Sequence, residues 1–267
     1  MKKLFLCSAL AIFVLAPVFA FASTDLYGLS MMETASVVQK GRFDVSVGDD
    51  LWLLKSSEDS KMSYLDYITG KITYGIVDNL EASISYNQSI VISGNSDVDS
   101  GTAKGVPVID IKYLFNIFNF LKISAGLGFG TPLDNSNFFV IYMIDPYTQV
   151  IPSVCADVIL GDFSLDAQAK LSVGHSSQDN ETHARLYSRA ALVYDAKSLR
   201  LALSGALDQL FYTEPGQVTL ASFGPEIVWP VTDMLQVNLA EMNTFIEAFT
   251  NDQRYYPRIM LNLNFAM

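Results

Sequence analysis

The sequence predicts a single antiparallel transmembrane β-barrel of about twelve strands. Three observations predict it: a series of stretches that alternate apolar and polar side chains, breaks between them that are short and long in turn, and an apolar leader ahead of them all. Alternation of period two marks a strand with one apolar face. Segments of roughly ten such residues, separated by turn residues, are how a transmembrane barrel reads in sequence.

The leader comes first. Lys2 and Lys3 precede an apolar run from Leu4 to about Phe21, and Ala20-Phe21-Ala22 stands before Ser23. A basic start, an apolar centre and small residues at −3 and −1 predict a signal peptide over residues 1–22, cleaved after Ala22. Pro17 interrupts the alternative reading as a membrane anchor. Loss of the leader removes Cys7 and leaves Cys155 as the only cysteine, so no intramolecular disulfide is expected. A closed barrel is held by its ladder hydrogen bonds and does not need one. No later run of about eighteen apolar residues follows, which argues against helical spans. Residues 23–39 lack alternation and read as an N-terminal periplasmic or plug segment; residues 40–267 form the barrel.

Alternation is clearest in Leu80–Ile92, Leu121–Phe129, Phe163–Val173, Leu199–Leu207 and the closing stretch through Ile259, Leu261, Leu263 and Phe265. Weaker stretches fill the intervals: Arg42–Leu54, Ser63–Ile76, Val106–Phe115, Gln149–Leu160, Ala184–Tyr194, Gln217–Trp229 and Met234–Ile246. Pro152 and Pro225 predict bulges or shortened ladders, because proline donates no hydrogen bond. Glu241 stands out of pattern and predicts a bulge or a strand end leaving the membrane.

Short breaks lie at Val77-Asp78-Asn79, Asn116–Asn119, Gly161-Asp162, Asp195–Ser198 and Pro230–Asp233. The breaks between them are mostly longer and acidic: Ser56–Met62, Ser93–Gly105, Thr131–Thr148, Ser176–Thr182, Thr213–Gly216 and Thr250–Arg254. Short periplasmic turns and longer external loops, with an even strand count, are the topology of outer-membrane barrels. Aromatic residues repeat the message. Tyr74, Tyr113, Phe163, Tyr194, Trp229 and Phe265 stand near the short turns in the apolar phase, and Tyr64, Tyr86, Phe129, Phe211 and Tyr255 stand near the long loops. Two such belts fit rings at the two boundaries of a bilayer.

If the apolar face meets lipid, the other lines the lumen. Its ionisable residues are Asp44, Glu81, Asp110, Asp157, Asp166, Asp208 and Glu226 against Lys71, Lys112, Lys122, Lys170, Arg185, Arg189, Arg200 and Arg258. These nearly balance, so the net charge of −11 (−13 without Lys2 and Lys3) is assigned mostly to turns and loops, Asp49 and Asp50 among them. The lumen is either a path for solutes or a set of ion pairs that fills it. Arg185 and Arg189, four apart on one strand, form a patch able to orient an anion, or a rung paired with Asp166 or Asp208.

The acidic balance argues against a nucleic-acid partner. His175 and His183 flank a loop holding Ser176, Ser177 and Asp179, but no nucleophile-elbow pattern accompanies them. No catalytic residue, metal site or cofactor is assigned, and the chain is expected not to be an enzyme. Its expected surroundings are outer-membrane lipid and lipopolysaccharide, where acidic loops could hold divalent ions loosely. The barrel assembly machinery is the expected partner in insertion, although the C-terminal Phe265-Ala266-Met267 does not end on an aromatic residue.

The run Tyr74-Gly75-Ile76-Val77-Asp78-Asn79-Leu80-Glu81 resembles the strand–turn–strand hairpin of the putative MetA-pathway of phenol degradation family of outer-membrane barrels. Trp229-Pro230-Val231-Thr232-Asp233-Met234-Leu235 resembles a looser copy. The resemblance implies a transporter-like barrel for hydrophobic compounds and no catalytic residues. The expected function is thus passage or binding of small solutes, hydrophobic or aromatic ones included. The rival expectation is a non-conducting structural or surface-interaction barrel that acts through its acidic external loops.

Overall fold

The structure is a computed structural model of the chain. It describes residues 32–55, 62–92, 101–132, 147–175, 182–196, 198–211, 217–247 and 253–267. The strands are β1 (Phe43–Lys55), β2 (Met62–Val77), β3 (Leu80–Ile92), β4 (Gly101–Lys104), β5 (Val108–Phe118), β6 (Leu121–Gly130), β7 (Thr148–Leu160), β8 (Phe163–His175), β9 (Thr182–Asp195), β10 (Arg200–Phe211), β11 (Gln217–Thr232), β12 (Leu235–Glu247) and β13 (Gln253–Ala266).

Each long strand pairs antiparallel with its sequence neighbours, and β1 pairs with β13 to close the cylinder. Where the ends meet, the Phe43 N–H donates to the Met267 carbonyl at 2.9 Å and the Met267 N–H donates back at 2.8 Å. Closure removes the last open edge, the condition for a sheet to cross a membrane. The wall has twelve strands; the four-residue β4, which the sequence pattern did not reveal, pairs on β3 beside the barrel end.

The breaks sort by end. Asp78-Asn79, Asn119-Phe120, Gly161-Asp162 and Asp233-Met234 make short turns, and Ala196 bonds Leu199 across another, all at the same end as both termini of the wall. Among the described residues, three register shifts occur, between Gly75 and Val77, Asn116 and Phe118, and Pro230 and Thr232, each next to a short turn. Pro152 and Pro225 interrupt pairing on one side without shifting register, so they shorten ladders and make no bulge. Neither the bulge nor the strand end expected at Glu241 is found, since it lies in the middle of β12. Register runs through it unbroken, opposite Ile259, because Glu241 sits in the outward phase and alternation is kept in spacing though not in polarity.

The burial pattern is that of a water-soluble protein turned inside out. Ile84, Ile109, Ile111, Leu127, Leu165, Leu192, Leu203, Ile227, Leu239 and Ile259 are exposed on the outside. Glu81, Lys112, Asp157, Asp166, Arg185, Glu226, Asn238 and Arg258 are buried. So large an apolar exterior, wrapped round a polar interior, is the surface of a wall that meets acyl chains.

The expected belts follow this surface. Tyr74, Tyr113, Phe163, Tyr194 and Trp229 are exposed at the short-turn end and Tyr64, Phe129 and Phe211 toward the other. Phe43 packs on Tyr74 and Phe163 on Tyr194, with ring centroids 4.7 and 4.9 Å apart. Tyr86 and Phe265 are only half-buried. The side chain of Tyr255 lies outside the described residues.

The inside-out arrangement sets an expected cost. Leu207 lies outward between the two belts of β10, so Leu207→Arg should cost about 2–4 kcal/mol, the range for a cation at the bilayer midplane. Urea unfolding in phospholipid vesicles would measure it, with Leu207→Ala as the reference.

Candidate functional site

The lumen contains residues 32–39, part of the segment that the sequence left as either a periplasmic tail or a plug. Before β1, residues 32–39 form a strap inside the barrel. It leaves through a turn in which the Arg42 N–H donates to the Gln39 carbonyl at 3.1 Å. Gly41 there has φ of 78°, a left-handed conformation that suits glycine. The Gly41 N–H donates to the Gly75 carbonyl at 2.7 Å, and the Gly75 N–H to the Arg42 carbonyl at 3.0 Å. The strap's backbone then passes so close to Gly75 that a Cβ there would collide with the carbonyls of Val38 and Gln39. The glycine of the Tyr74–Glu81 hairpin is therefore the seat of the strap.

From there the strap crosses the lumen, tied at each step to the wall. The Val38 N–H donates to Glu81 at 2.7 Å, and the Ala35 N–H donates to both oxygens of Asp157 at 3.0 and 2.8 Å. Lys122 donates to the Ser36 hydroxyl at 3.4 Å and Lys112 to the Thr34 carbonyl at 3.3 Å. The Glu33 carboxylate receives Lys71 at 2.5 Å and Lys170 at 3.2 Å on one oxygen. Burial alone would raise the pKa of Glu33, but the ammonium groups of Lys170, Lys71 and Lys112 hold it well below the ordinary carboxylate range. This tie is present above ordinary carboxylate pKa values and is lost only as pH falls through that lowered value. Apolar contacts finish the seat. Met32 clusters with Ala191, Val193, Ala202 and Val228, and Ala35 with Leu114 and Cys155, with Val37 packed alongside.

Among the described residues, cavities line the lumen, two of them against this strap. One of about 350 Å³ lies between strap and wall, bounded by Glu33, Asp44, Lys71, Glu81, Lys112 and Lys170 among others. One of about 170 Å³ adjoins the short-turn end, with Lys122, Asp157, Asp162, Asp166, Asp195 and Arg200. There Arg200 pairs with Asp195 at 3.1 Å. The third, about 190 Å³, is bounded by Asp50, Trp52, Arg185, Tyr187, Arg189, Asp208 and Arg258.

In this third cavity Asp208 receives Arg189 through two hydrogen bonds, and Arg185 stands 3.6 Å from the same carboxylate. The rung partner is thus Asp208 and not Asp166. Arg258 pairs with Asp50 through both its Nε and Nη2 and reaches the Ser222 hydroxyl at 3.1 Å. The Arg258 guanidinium carbon lies 4.0 Å from the Trp52 ring centroid, and that of Arg185 lies 4.3 Å from the Tyr187 ring. Both are within cation–π range.

The sequence-assigned lumen residues therefore fall into named places. Lys71, Glu81, Lys112 and Lys170 flank the strap's cavity; Lys122, Asp166 and Arg200 flank the cavity by the short turns; Arg185, Arg189, Asp208 and Arg258 flank the arginine cavity. Asp110 is half-buried over Gly126 and Gly128 of β6, and Glu226 is buried and accepts a hydrogen bond from Ser204 at 3.2 Å. One assignment is corrected. Asp50, placed with turns and loops from the sequence, lies in β1, buried and paired with Arg258; Asp49 is in the same strand. The stretch Val47–Asp50 breaks alternation, which hid that strand's phase. Trp52, Tyr67 and Tyr187 were also missed, although extending the phase of Arg185 and Arg189 through residue 187 would have found Tyr187. Glu33 left no signal, because the strap has no period.

His183 is buried with its ring stacked 5.0 Å from Tyr147, and His175 is exposed. The loop between them lies outside the described residues.

Solved structures of similar shape decide the class. An outer-membrane channel from Pseudomonas putida F1 matches with a TM-score of 0.68 at 9% identity, over 87% of this chain and 98% of that one. The chain has the fold of an outer-membrane β-barrel. The beta domain of the Bordetella autotransporter BrkA matches this barrel with a TM-score of 0.52 at 9% identity, over 86% of this chain and 100% of that one. The NanC porin gives 0.51 at 12% identity, over 84% and 98%. No family model and no curated protein matches the barrel, so the likeness noted at Tyr74–Glu81 stays confined to its hairpin.

Two outcomes are expected of this geometry. Gly75→Ala should loosen the strap while leaving the wall folded, which limited proteolysis of the strap and heat-modifiability of the barrel would separate. Asp50→Ala should destabilise by about 3 kcal/mol by stranding a buried guanidinium, and adding Arg258→Met should restore most of the loss; urea titration of the single and double variants reads both.

Proposed function

We propose that this chain is an outer-membrane channel for small solutes, and that the solutes it favours carry an anionic group on a flat or aromatic body. The arginine cavity carries this reading. Arg185, Arg189 and Arg258 stand there against the carboxylates of buried Asp50 and half-buried Asp49 and Asp208, with Trp52 and Tyr187 as flat apolar faces. Guanidinium donors orient an oxyanion, and aromatic faces accept a ring beside it. Hydrophobic or aromatic cargo also agrees with the resemblance of the Tyr74–Glu81 hairpin. In this reading the chain is exported by a leader cleaved after Ala22 and inserted by the barrel assembly machinery. It then lies among outer-membrane lipid and lipopolysaccharide and performs no chemistry.

A second reading is supported by the strap and the paired charges: a non-conducting barrel that acts at the surface through its acidic external loops. Planar-bilayer recording of the full chain distinguishes the two. The channel reading expects ion conductance, uptake of benzoate into proteoliposomes, and a loss of anion preference in Arg185→Gln/Arg189→Gln, seen as a shifted reversal potential in a salt gradient. A folded barrel that passes neither ions nor benzoate would leave the surface reading standing.

A further inference from the structure

The contact between Glu33 and the wall has the form of a ligand in its site. Lys71 is on β2 and Lys170 on β8, with four strands between them one way round the barrel and six the other. They are on nearly opposite walls, yet both ammonium groups reach one carboxylate oxygen, at 2.5 and 3.2 Å. The neighbouring Lys112 already has a wall partner, Glu81, at 2.8 Å. Glu33 is not part of the wall. It is carried by a strap whose remaining ties are hydrogen bonds and the apolar side chains of Met32, Ala35 and Val37. With Glu33 in place, the cavity beside the strap is lined by three lysines and three carboxylates; without it, the wall contributes three lysines against Asp44 and Glu81. Removing the strap's carboxylate therefore leaves two lysines from opposite walls without the acid that joins them.

We propose that Lys71 and Lys170 form a carboxylate-binding site, that Glu33 occupies it when the strap is seated, and that the carboxylate of a transiting solute displaces Glu33 and releases the strap. The inference rests on the reading of the barrel as a channel for anionic solutes, and names the site where such a solute opens the path. Competition supplies the coupling. Solute and Glu33 cannot hold the same lysines together, so the solute binds only the released state and draws the strap toward it. The seat is open enough for exchange, since the side chains of Lys71, Lys170 and Glu33 are 23, 31 and 27% exposed to the lumen. No bond is made or broken; one ion pair replaces another.

The test follows the strap and the current separately, in proteoliposomes and planar bilayers of the full chain. A cysteine at Ser36→Cys, in a Cys155→Ser background, reports strap release through its rate of labelling by a water-soluble maleimide. Sodium benzoate is expected to speed labelling about tenfold, within the usual range of coupling between sites, while benzylamine and sodium chloride leave it unchanged. Glu33→Gln should label at the fast rate without benzoate, Glu33→Asp should regain protection, and Lys71→Gln or Lys170→Gln should abolish the benzoate response. If the cysteine variant fails to fold, the unaltered chain gives the same answer through its open fraction, which benzoate should raise and benzylamine should not. Labelling and open fraction indifferent to benzoate, in a barrel that conducts, would overturn the latch and leave the channel reading intact. Labelling that responds to benzoate in a barrel without conductance would uphold the latch and defeat the channel.

Discussion

Within acyl chains no water is available to pair with an amide, and this constraint shapes everything else in the molecule. A sheet can meet it only by having no edge. Here the last edge is removed where β1 meets β13, from Asp44 opposite Ala266 to Trp52 opposite Arg258. Once the cylinder is closed, side-chain alternation has only two destinations, lipid and lumen. That is why the aliphatic rows are exposed and the ionisable residues buried, the reverse of a soluble fold.

Closure creates a second problem. A barrel of about eight strands is filled by its own side chains, and wider ones enclose space. The twelve-stranded wall leaves its interior partly open, and the chain fills the gap with its N-terminal strap. The wall is prepared for it. Carboxylates of Glu81 and Asp157 meet strap amides that would otherwise lack partners, and lysines from opposite sides meet the strap's carboxylate and carbonyl. Backbone groups buried outside a strand must be paired, and these wall charges pair those of the strap. The charges that looked like a self-neutralising lumen are in part the receptor for a segment of the same chain.

The two ends of the lumen differ in chemistry for the same reason. Near the short turns the wall's charges face the strap. On the side of β1, β9, β10 and β13 they face one another, and arginines replace lysines. A planar guanidinium can bind a carboxylate through two bonds and still stack on a ring, as Arg258 does with Asp50 and Trp52. The result is a lining of arginine–aspartate pairs with aromatic faces that holds no strap residue.

How much of this was legible follows from what leaves a period. The long strands, their facing and the short-turn end were set by residue order, because in a strand each side chain's direction is fixed by parity. Leu80–Ile92 is the plain case: its strand bounds and its inward acid, Glu81, follow from alternation alone. Asp50 shows the limit, since the run around it broke polarity while the backbone kept its register. Only the folded barrel decided which charges meet. Arg189 finds Asp208 on the adjacent strand, but Lys71 and Lys170 meet across the cylinder on Glu33, a residue from a segment with no repeating pattern. Partners that lie far apart in the chain and are joined through open space depend on curvature and closure, and neither is written in local order.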